Sequence, residues 1–169
     1  MSIIMKTETE PDTLHEENKS LSVAAIVNGT VIDHIADGKG ILLVRLLKLE
    51  NYLKPVTLGL NLPSSRMKTK DLIKIEGKEL SASEISQIAI FSPRTTLNII
   101  QNYKVVKKVL IEPPPNISNI IICPNPQCIS KHERTSRLFH VINERKEIQL
   151  QCHYCEKIFL RQEITHYAI

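Results

Sequence analysis

Four cysteines are the only thiols in this 169-residue chain, and they fall in two pairs near its end. Cys123 and Cys128 stand in "CPNPQC", Cys152 and Cys155 in "CHYC", with 23 residues between the pairs. Two short knuckles separated by such an excursion can bring four soft sulfurs around one tetrahedral ion, and that donor set suits Zn²⁺. A catalytic zinc keeps one ligand position open for water, whereas four cysteinates close the shell. His132, His140 and His153 lie between or inside the pairs, but none is needed as a ligand. One structural zinc per chain is therefore expected. Two disulfides are the alternative use of four cysteines and require an oxidising compartment. The first twenty residues show neither the apolar run of an export signal nor an arginine-rich leader. A cytoplasmic chain is expected, with no stretch long and apolar enough to cross a membrane.

The elements around the cysteines follow from the local pattern. "SRLFHVI" and "EIQLQC" alternate apolar and polar residues, which suits a hairpin carrying the second knuckle. A unit of this size has too little core to depend on hydrophobic burial alone. Metal binding, which contributes on the order of 10–16 kcal/mol in such sites, would supply the difference. Upstream, the run "EPPPN" at 112–116 marks a boundary, since consecutive prolines favour an extended, semi-rigid segment. The expected division is an acidic, disordered tail at 1–19, a first domain at 20–111, a proline linker at 112–116 and the zinc domain at 117–169.

Within the first domain, "SLSVAAIVNGTVIDHI" gives two apolar runs broken at Asn28-Gly29, a turn signal. "GKGILLVRLLKLENY" places Ile41, Val44 and Leu47, and Leu42, Leu46 and Leu49, at helical spacing. "PVTLGLNL" and "DLIKIEG" are short strand candidates on either side of the loop "PSSRMKTK". Ser81-x-x-Glu84 opens "SASEISQIAIF" with a capping-box pattern, and Ile85, Ile88 and Ala89 follow on one helical face. "TTLNIIQNYKVVKKVLI" is rich in β-branched residues and predicts one or two strands turning near Gln101-Asn102. Strand, helix, strand, strand, helix, strand is the split βαβ, or ferredoxin-like, order. The fold class is thus α+β: an antiparallel sheet with two helices on one face, followed by a small all-β, zinc-ribbon-like domain. The uncovered sheet face needs a partner, which suggests a homodimer through the first domain.

Charge narrows the choice of ligand. Two lysines and five acidic residues give residues 1–20 a charge of −3, leaving +7 for the rest of a chain whose total is +4. Four thiolates holding one Zn²⁺ would lower that to +5. Such an excess suits phosphates but is far below the density of a histone-like protein. No P-loop, nucleophile elbow or metalloprotease helix is present.

Taken together, "GTVIDHI", "GLNLPS", "KDLIKIE", "NY" followed by "VV", and "CPNPQC" ending in "CHYCEK" stand in an order and spacing that resembles the regulatory chains of aspartate carbamoyltransferase. The resemblance covers roughly residues 20–160. It implies a non-catalytic allosteric subunit whose first domain dimerises and binds nucleoside triphosphates (CTP, UTP or ATP). Its zinc domain would dock on the catalytic chain, so that nucleotides modulate the first committed step of pyrimidine biosynthesis. By position, the effector site would take Val23, Ala25 and Ile26 from the first strand, then Val31, Asp33 and His34. It would continue with Leu72 and Lys74, Thr96, Asn98 and Ile100, and end with Tyr103, Val105 and Lys108. Cys123, Cys128, Cys152 and Cys155 are the implied zinc ligands. Lys107 stands just before Lys108, where the best-known members carry a small residue.

Several of these roles make sense chemically. Lys74 and Lys108 can offset phosphate charge through charge-assisted hydrogen bonds, and His34 can join them when protonated. Asp33 would repel phosphate and better suits a ribose or base. Alternation puts Leu72 with Lys74, and Thr96 with Asn98 and Ile100, on shared strand faces. Val105 and Lys108 fall on opposite faces of a regular strand, so either Val105 offers its backbone or the strand is irregular there.

The rival reading is a zinc-ribbon protein that binds nucleic acid, using Lys131, Arg134, Arg137, Arg145 and Lys146. Glu133, Glu144 and Glu147 are interleaved with those cations, and the chain is poor in aromatics for stacking. A protein partner, not nucleic acid or membrane, is the expectation.

Overall fold

The computed structural model describes residues 24–133, 135–144 and 147–167. The acidic tail expected at 1–19 and Val23 lie outside the described residues, as do Arg134, Arg145 and Lys146. The chain divides into two compact units, one ending at Glu112 and the other beginning at Pro113.

The first unit runs β1 (Gly29–Ile35), α1 (Gly40–Leu46), β2 (Val56–Ser64), β3 (Lys68–Glu76), α2 (Ala82–Phe91), β4 (Thr96–Gln101) and β5 (Lys104–Leu110). Its sheet has the order β2-β3-β1-β4-β5, and every pair is antiparallel. The first four strands in the row realise the split βαβ arrangement, and β5 is added at the edge as a hairpin from β4. Asn102 and Tyr103, at φ 49° and 65°, make the left-handed two-residue turn that matches the twist of such a hairpin. The hairpin of β2 and β3 is longer than the sequence suggested, because its strands run into "PSSRMKTK" and leave only residues 65–67 to turn.

One side of this sheet is the core. Ile32 and Ile35 from β1, Ile73 and Ile75 from β3, and Leu97 and Val109 are buried together with Leu43 and Leu46 of α1 and Ile88 and Ala89 of α2. Asp71 fixes this as the helix side. Its fully buried carboxylate accepts the Gly40 N–H at the start of α1 at 2.9 Å and the Asn61 N–H of β2 at 3.0 Å. Without those donors a buried carboxylate would be costly. The α2 capping box is present: Ser81 Oγ accepts the Glu84 N–H and Glu84 Oε2 accepts the Ser81 N–H. Helix α1 departs from expectation. It ends after seven residues where Lys48 turns left-handed (φ 52°), and it buries Leu43 and Leu46 while Ile41 is 49% exposed.

The second unit is a four-stranded antiparallel sheet, order β6-β7-β8-β9, of β6 (Asn116–Ser118), β7 (Leu138–Glu144), β8 (Glu147–Cys152) and β9 (Ile158–Leu160). The β7–β8 hairpin lies where alternation placed it; β6 and β9 extend it. Asn116, the end of the expected linker, already pairs with His140 of β7. Ile117, Ile121, Phe139, Leu150 and Ile164 form its small core. Among the described residues no helix is long and apolar enough to cross a membrane.

Candidate functional site

Strand β8 ends on Cys152 and the turn behind it carries Cys155, while Cys123 and Cys128 lie in the loop between β6 and β7. The four sulfurs lie within 4.8 Å of one another. Cys123 and Cys155 Sγ are 3.7 Å apart, as are Cys128 and Cys152 Sγ. A tetrahedron of sulfurs each about 2.3 Å from a central zinc has edges of about 3.8 Å. The donor set therefore fits one tetrahedral, thiophilic ion with no vacant position for a substrate.

Burial pushes the Cys123 and Cys152 thiols up, and neighbouring thiols add to the rise. Backbone N–H groups oppose it, from Asn125 at Cys123 and from Tyr154 and Cys155 at Cys152. Cys155 is also penalised by burial, but the Lys157 N–H, the Asn125 side chain and the adjacent thiols bring it down to about 7. These inward N–H groups are what a thiolate knuckle requires. The histidines make other contacts: His132 Nε2 with the Pro126 carbonyl at 3.0 Å, and His140 with Asn116 and His153.

The residues expected at the effector site gather on the sheet face opposite the helices. Cross-strand register places Lys74, Val31, Asn98 and Lys108 in one row over β3, β1, β4 and β5. Neighbouring rows on that face hold Asp33 with Thr96, and Gly29 with Ile100 and Val105. Leu72, two residues before Lys74, shares its face. The parity conflict between Val105 and Lys108 is resolved by a bulge. Ile99 pairs with Lys107 but Ile100 pairs with Val105, so the extra residue, Val106, brings Val105 and Lys108 to one face. A second irregularity, between Ile32 and Ile35 of β1, leaves both Asp33 and His34 half-buried between two core residues. His34 absorbs it with φ 56°.

Not every expectation holds. Ala25 and Ile26 do not belong to the first strand, which begins at Gly29. Their segment still reaches the site: Lys74 Nζ donates to the Ala24 carbonyl at 2.6 Å, and the Tyr103 N–H to that of Val27 at 2.9 Å. Tyr103 is 65% exposed in the hairpin turn, beyond the rows.

Lys70 was missed, although it stands in "KDLIKIE". Its Nζ is 2.7 Å from Asp33 Oδ1, and the Asp33 carboxylate also accepts the His34 N–H. His34 Nδ1 lies 3.2 Å from Asp33 Oδ2 without hydrogen-bond geometry. Burial lowers the pKa of His34; Asp33 raises it, and the charges of Lys70, Arg66 and Lys108 lower it again. Desolvation likewise lowers Lys74, with Asp33 opposing. Lys70 and Lys74 thus stand near Asp33, and Arg66 and Lys108 act on the adjacent His34, a cationic cluster that can attract a polyanion. A separate hollow of about 340 Å³, lined by Asn28, Gly29, Gly77, Lys78, Gln101 and Asn102 among others, includes only Ile100 of the expected residues.

Comparison with known proteins agrees with this division. Residues 21–112 match the allosteric domain of the aspartate carbamoyltransferase regulatory chain, and residues 115–165 match the metal-binding domain of that chain. Proteins named aspartate carbamoyltransferase regulatory chain are similar over most of their length. The one from Photobacterium profundum is 48% identical over 145 residues, covering 86% of this chain and 94% of its own. That of Vibrio parahaemolyticus is 46% identical with 86% and 95% covered, and that of Tolumonas auensis 44% identical with 88% and 97% covered. This chain belongs to the family of aspartate carbamoyltransferase regulatory chains, whose members regulate and do not catalyse.

Proposed function

We propose that the first unit binds nucleoside triphosphates (CTP, UTP or ATP) on the sheet face opposite its helices, and that the second unit holds Zn²⁺ and docks on an aspartate carbamoyltransferase catalytic chain. Through that contact the nucleotides modulate the first committed step of pyrimidine biosynthesis, in a cytoplasmic complex where two copies of this chain pair through their first units. The observation that carries the reading is the row Lys74–Val31–Asn98–Lys108, which the β5 bulge completes with Val105 on the same face. Lys74 and Lys108 stand at the two ends of that row as phosphate ligands. Asp33, already held by Lys70, is left for ribose or base, while Val31, Leu72 and Ile100 offer apolar contact. Thr96, Asn98, Tyr103 and the backbone of 25–26 supply polar contacts around them. Co-purification with the catalytic chain, followed by aspartate saturation curves with and without each nucleotide, tests the whole reading. Failure to form a complex, or curves that no nucleotide moves, would refute it.

Two narrower expectations follow from the site. Lys108→Ala should weaken CTP binding by about 10- to 100-fold, the cost of one charge-assisted hydrogen bond, and leave cytidine binding nearly unchanged. Calorimetry with both ligands measures this, and equal losses would move Lys108 away from the phosphates. The second concerns pH. His34 is held below the usual histidine range by burial and three cations. A bound triphosphate would reverse that field and raise the His34 pKa, so binding takes up a proton. Affinity should therefore strengthen as pH falls from about 7.5 towards 6, around the ordinary histidine range. His34→Gln should flatten the profile.

A further inference from the structure

Three features of the sheet face opposite the helices stand apart from nucleotide recognition. The face is cationic, with Arg66, Lys70 and Lys108 all acting on His34 and Lys74 in the central row, while Asp33 and, in the row of Gly29, Glu76 oppose them. The chain enters the described structure at that face, where the Ala24 carbonyl accepts from Lys74 Nζ at 2.6 Å. Upstream of it in sequence, beyond residues 18–23 with their Lys19, residues 8–17 carry Glu8, Glu10, Asp12, Glu16 and Glu17 and no lysine or arginine. The family match begins only at residue 21, so this acidic stretch is a property of the chain and not of the matched domain.

We propose that residues 8–17 dock on the basic face of the same chain's first unit, bringing carboxylates to Lys70, Lys74 and Lys108 and competing there with anionic ligands. Charge is complementary: the four cations outnumber Asp33 and Glu76 on the face, and residues 8–17 carry five acidic side chains. Reach is sufficient as well. Lys74 and Lys108 are separated by three inter-strand spacings, about 14 Å. Glu17 and Glu16 lie seven and eight residues before Ala24, a span of up to about 23–26 Å for extended chain at 3.3 Å per residue. A segment tethered that closely acts at an effective concentration in the millimolar range, so even a weak contact holds the face partly occupied. A free triphosphate must displace it, and its apparent affinity falls by the fraction of open face. The docking rests on charge and reach alone; the competition with nucleotide rests also on the function proposed above.

The test uses the full zinc-loaded chain at low ionic strength, where screening is weakest. A carbodiimide joins a carboxylate to a nearby lysine amine as an amide with loss of water, and peptide mapping locates the bond. Expected are links from Glu16 or Glu17 to Lys70, Lys74 or Lys108 that CTP suppresses. A chain with all five acids changed to Gln or Asn should bind CTP about three- to tenfold more tightly. Links scattered equally over Lys48, Lys54 and Lys157 would overturn the proposal, as would unchanged or weaker CTP binding by the neutralised chain. In a mixture of isotope-labelled and unlabelled chains, links found between the two kinds would assign the segment to a second copy and overturn the intramolecular contact. Inorganic tripolyphosphate separates the two readings. If it displaces the links while CTP binds neither form, the docking stands and the nucleotide reading falls.

Discussion

Cys152→Ala is expected to leave the second unit without metal and unfolded while the first unit remains native. Cys152 closes the tetrahedron opposite Cys128, 3.7 Å away, and it is also the last residue of β8, paired to Phe139 of β7. Removing it opens the shell to water and breaks the junction between the metal and the hairpin. The core left behind, centred on Ile117, Ile121, Phe139, Leu150 and Ile164, is small. Loss of most of a contribution of about 10–16 kcal/mol exceeds what such a core can replace. Acidification works in the same direction. The metal holds the thiols ionised, so its stabilisation is present above their bound-state titration and is lost as protons compete below it. Metal analysis after dialysis against a chelator should fall from one zinc per chain to near none. Amide signals of β6–β9 should collapse while those of β1–β5 persist, and assembly with a catalytic chain should disappear. A metal-free Cys152→Ala chain that kept its β7–β8 hairpin protected from exchange would show that the metal is dispensable for this fold.

The knuckles were legible because their evidence is local: two short spacings and a donor type with few other uses. The α2 cap was legible for the same reason, Ser81 and Glu84 standing one turn apart. What the sequence hid depends on partners far along the chain. Ala25 and Ile26 have the composition of a strand, yet among the described residues β1 starts only at Gly29. Both neighbours of β1 end there, since Gly29 pairs with Glu76 on one side and Ile100 on the other, next to the strand ends at Glu76 and Gln101. Residues 24–28 lie beyond the paired part of the sheet; the Ala24 and Val27 carbonyls accept from Lys74 and Tyr103, and that of Asn28 from the Gly77 N–H.

Phase, too, was ambiguous where apolar residues were abundant. "ILLVRLLKL" supports more than one buried helical face, and only packing selects Leu43 and Leu46 over Ile41. Asp71 reads as an ordinary polar strand residue. Its role is decided by two backbone donors, one 31 residues before it and one 10. At the candidate site, the register of β5 could be stated only as a conflict between Val105 and Lys108. Alternation requires either a bulge or a backbone role, and the pairing supplies the bulge. Lys70 escaped because a lysine on a strand is most often solvated, and its ion pair with Asp33 spans 37 residues of sequence.

Gly29→Ala should produce the second large effect, and it links the fold to the candidate site. Gly29 has φ +140°, a conformation that side chains rarely adopt, and a Cβ there would lie 2.1 Å from the Ile75 carbonyl oxygen and 2.8 Å from the Gly77 nitrogen. Both obstacles are backbone, so no flexible side chain can give way. The start of β1 must move off β3, which breaks the bond from the Gly77 N–H to the Asn28 carbonyl, now 2.8 Å long. The combined strain and lost pairing should cost about 3 kcal/mol or more. For a unit of this size that lowers its melting temperature by roughly 12 °C or more. Val31 and Lys74, two residues further along each strand, should lose their alignment, so CTP affinity falls too, while zinc content stays at one per chain. Gly38→Ala is the matched control. Gly38 also has positive φ, +72°, but nothing lies within 4 Å of its added Cβ. It should cost only about 1 kcal/mol, the penalty of the conformation alone. Calorimetry of the two variants compares strain with and without collision. A Gly29→Ala transition no lower than that of Gly38→Ala would mean that β1 and β3 separate easily, and that this close approach does not hold the row of site residues in place.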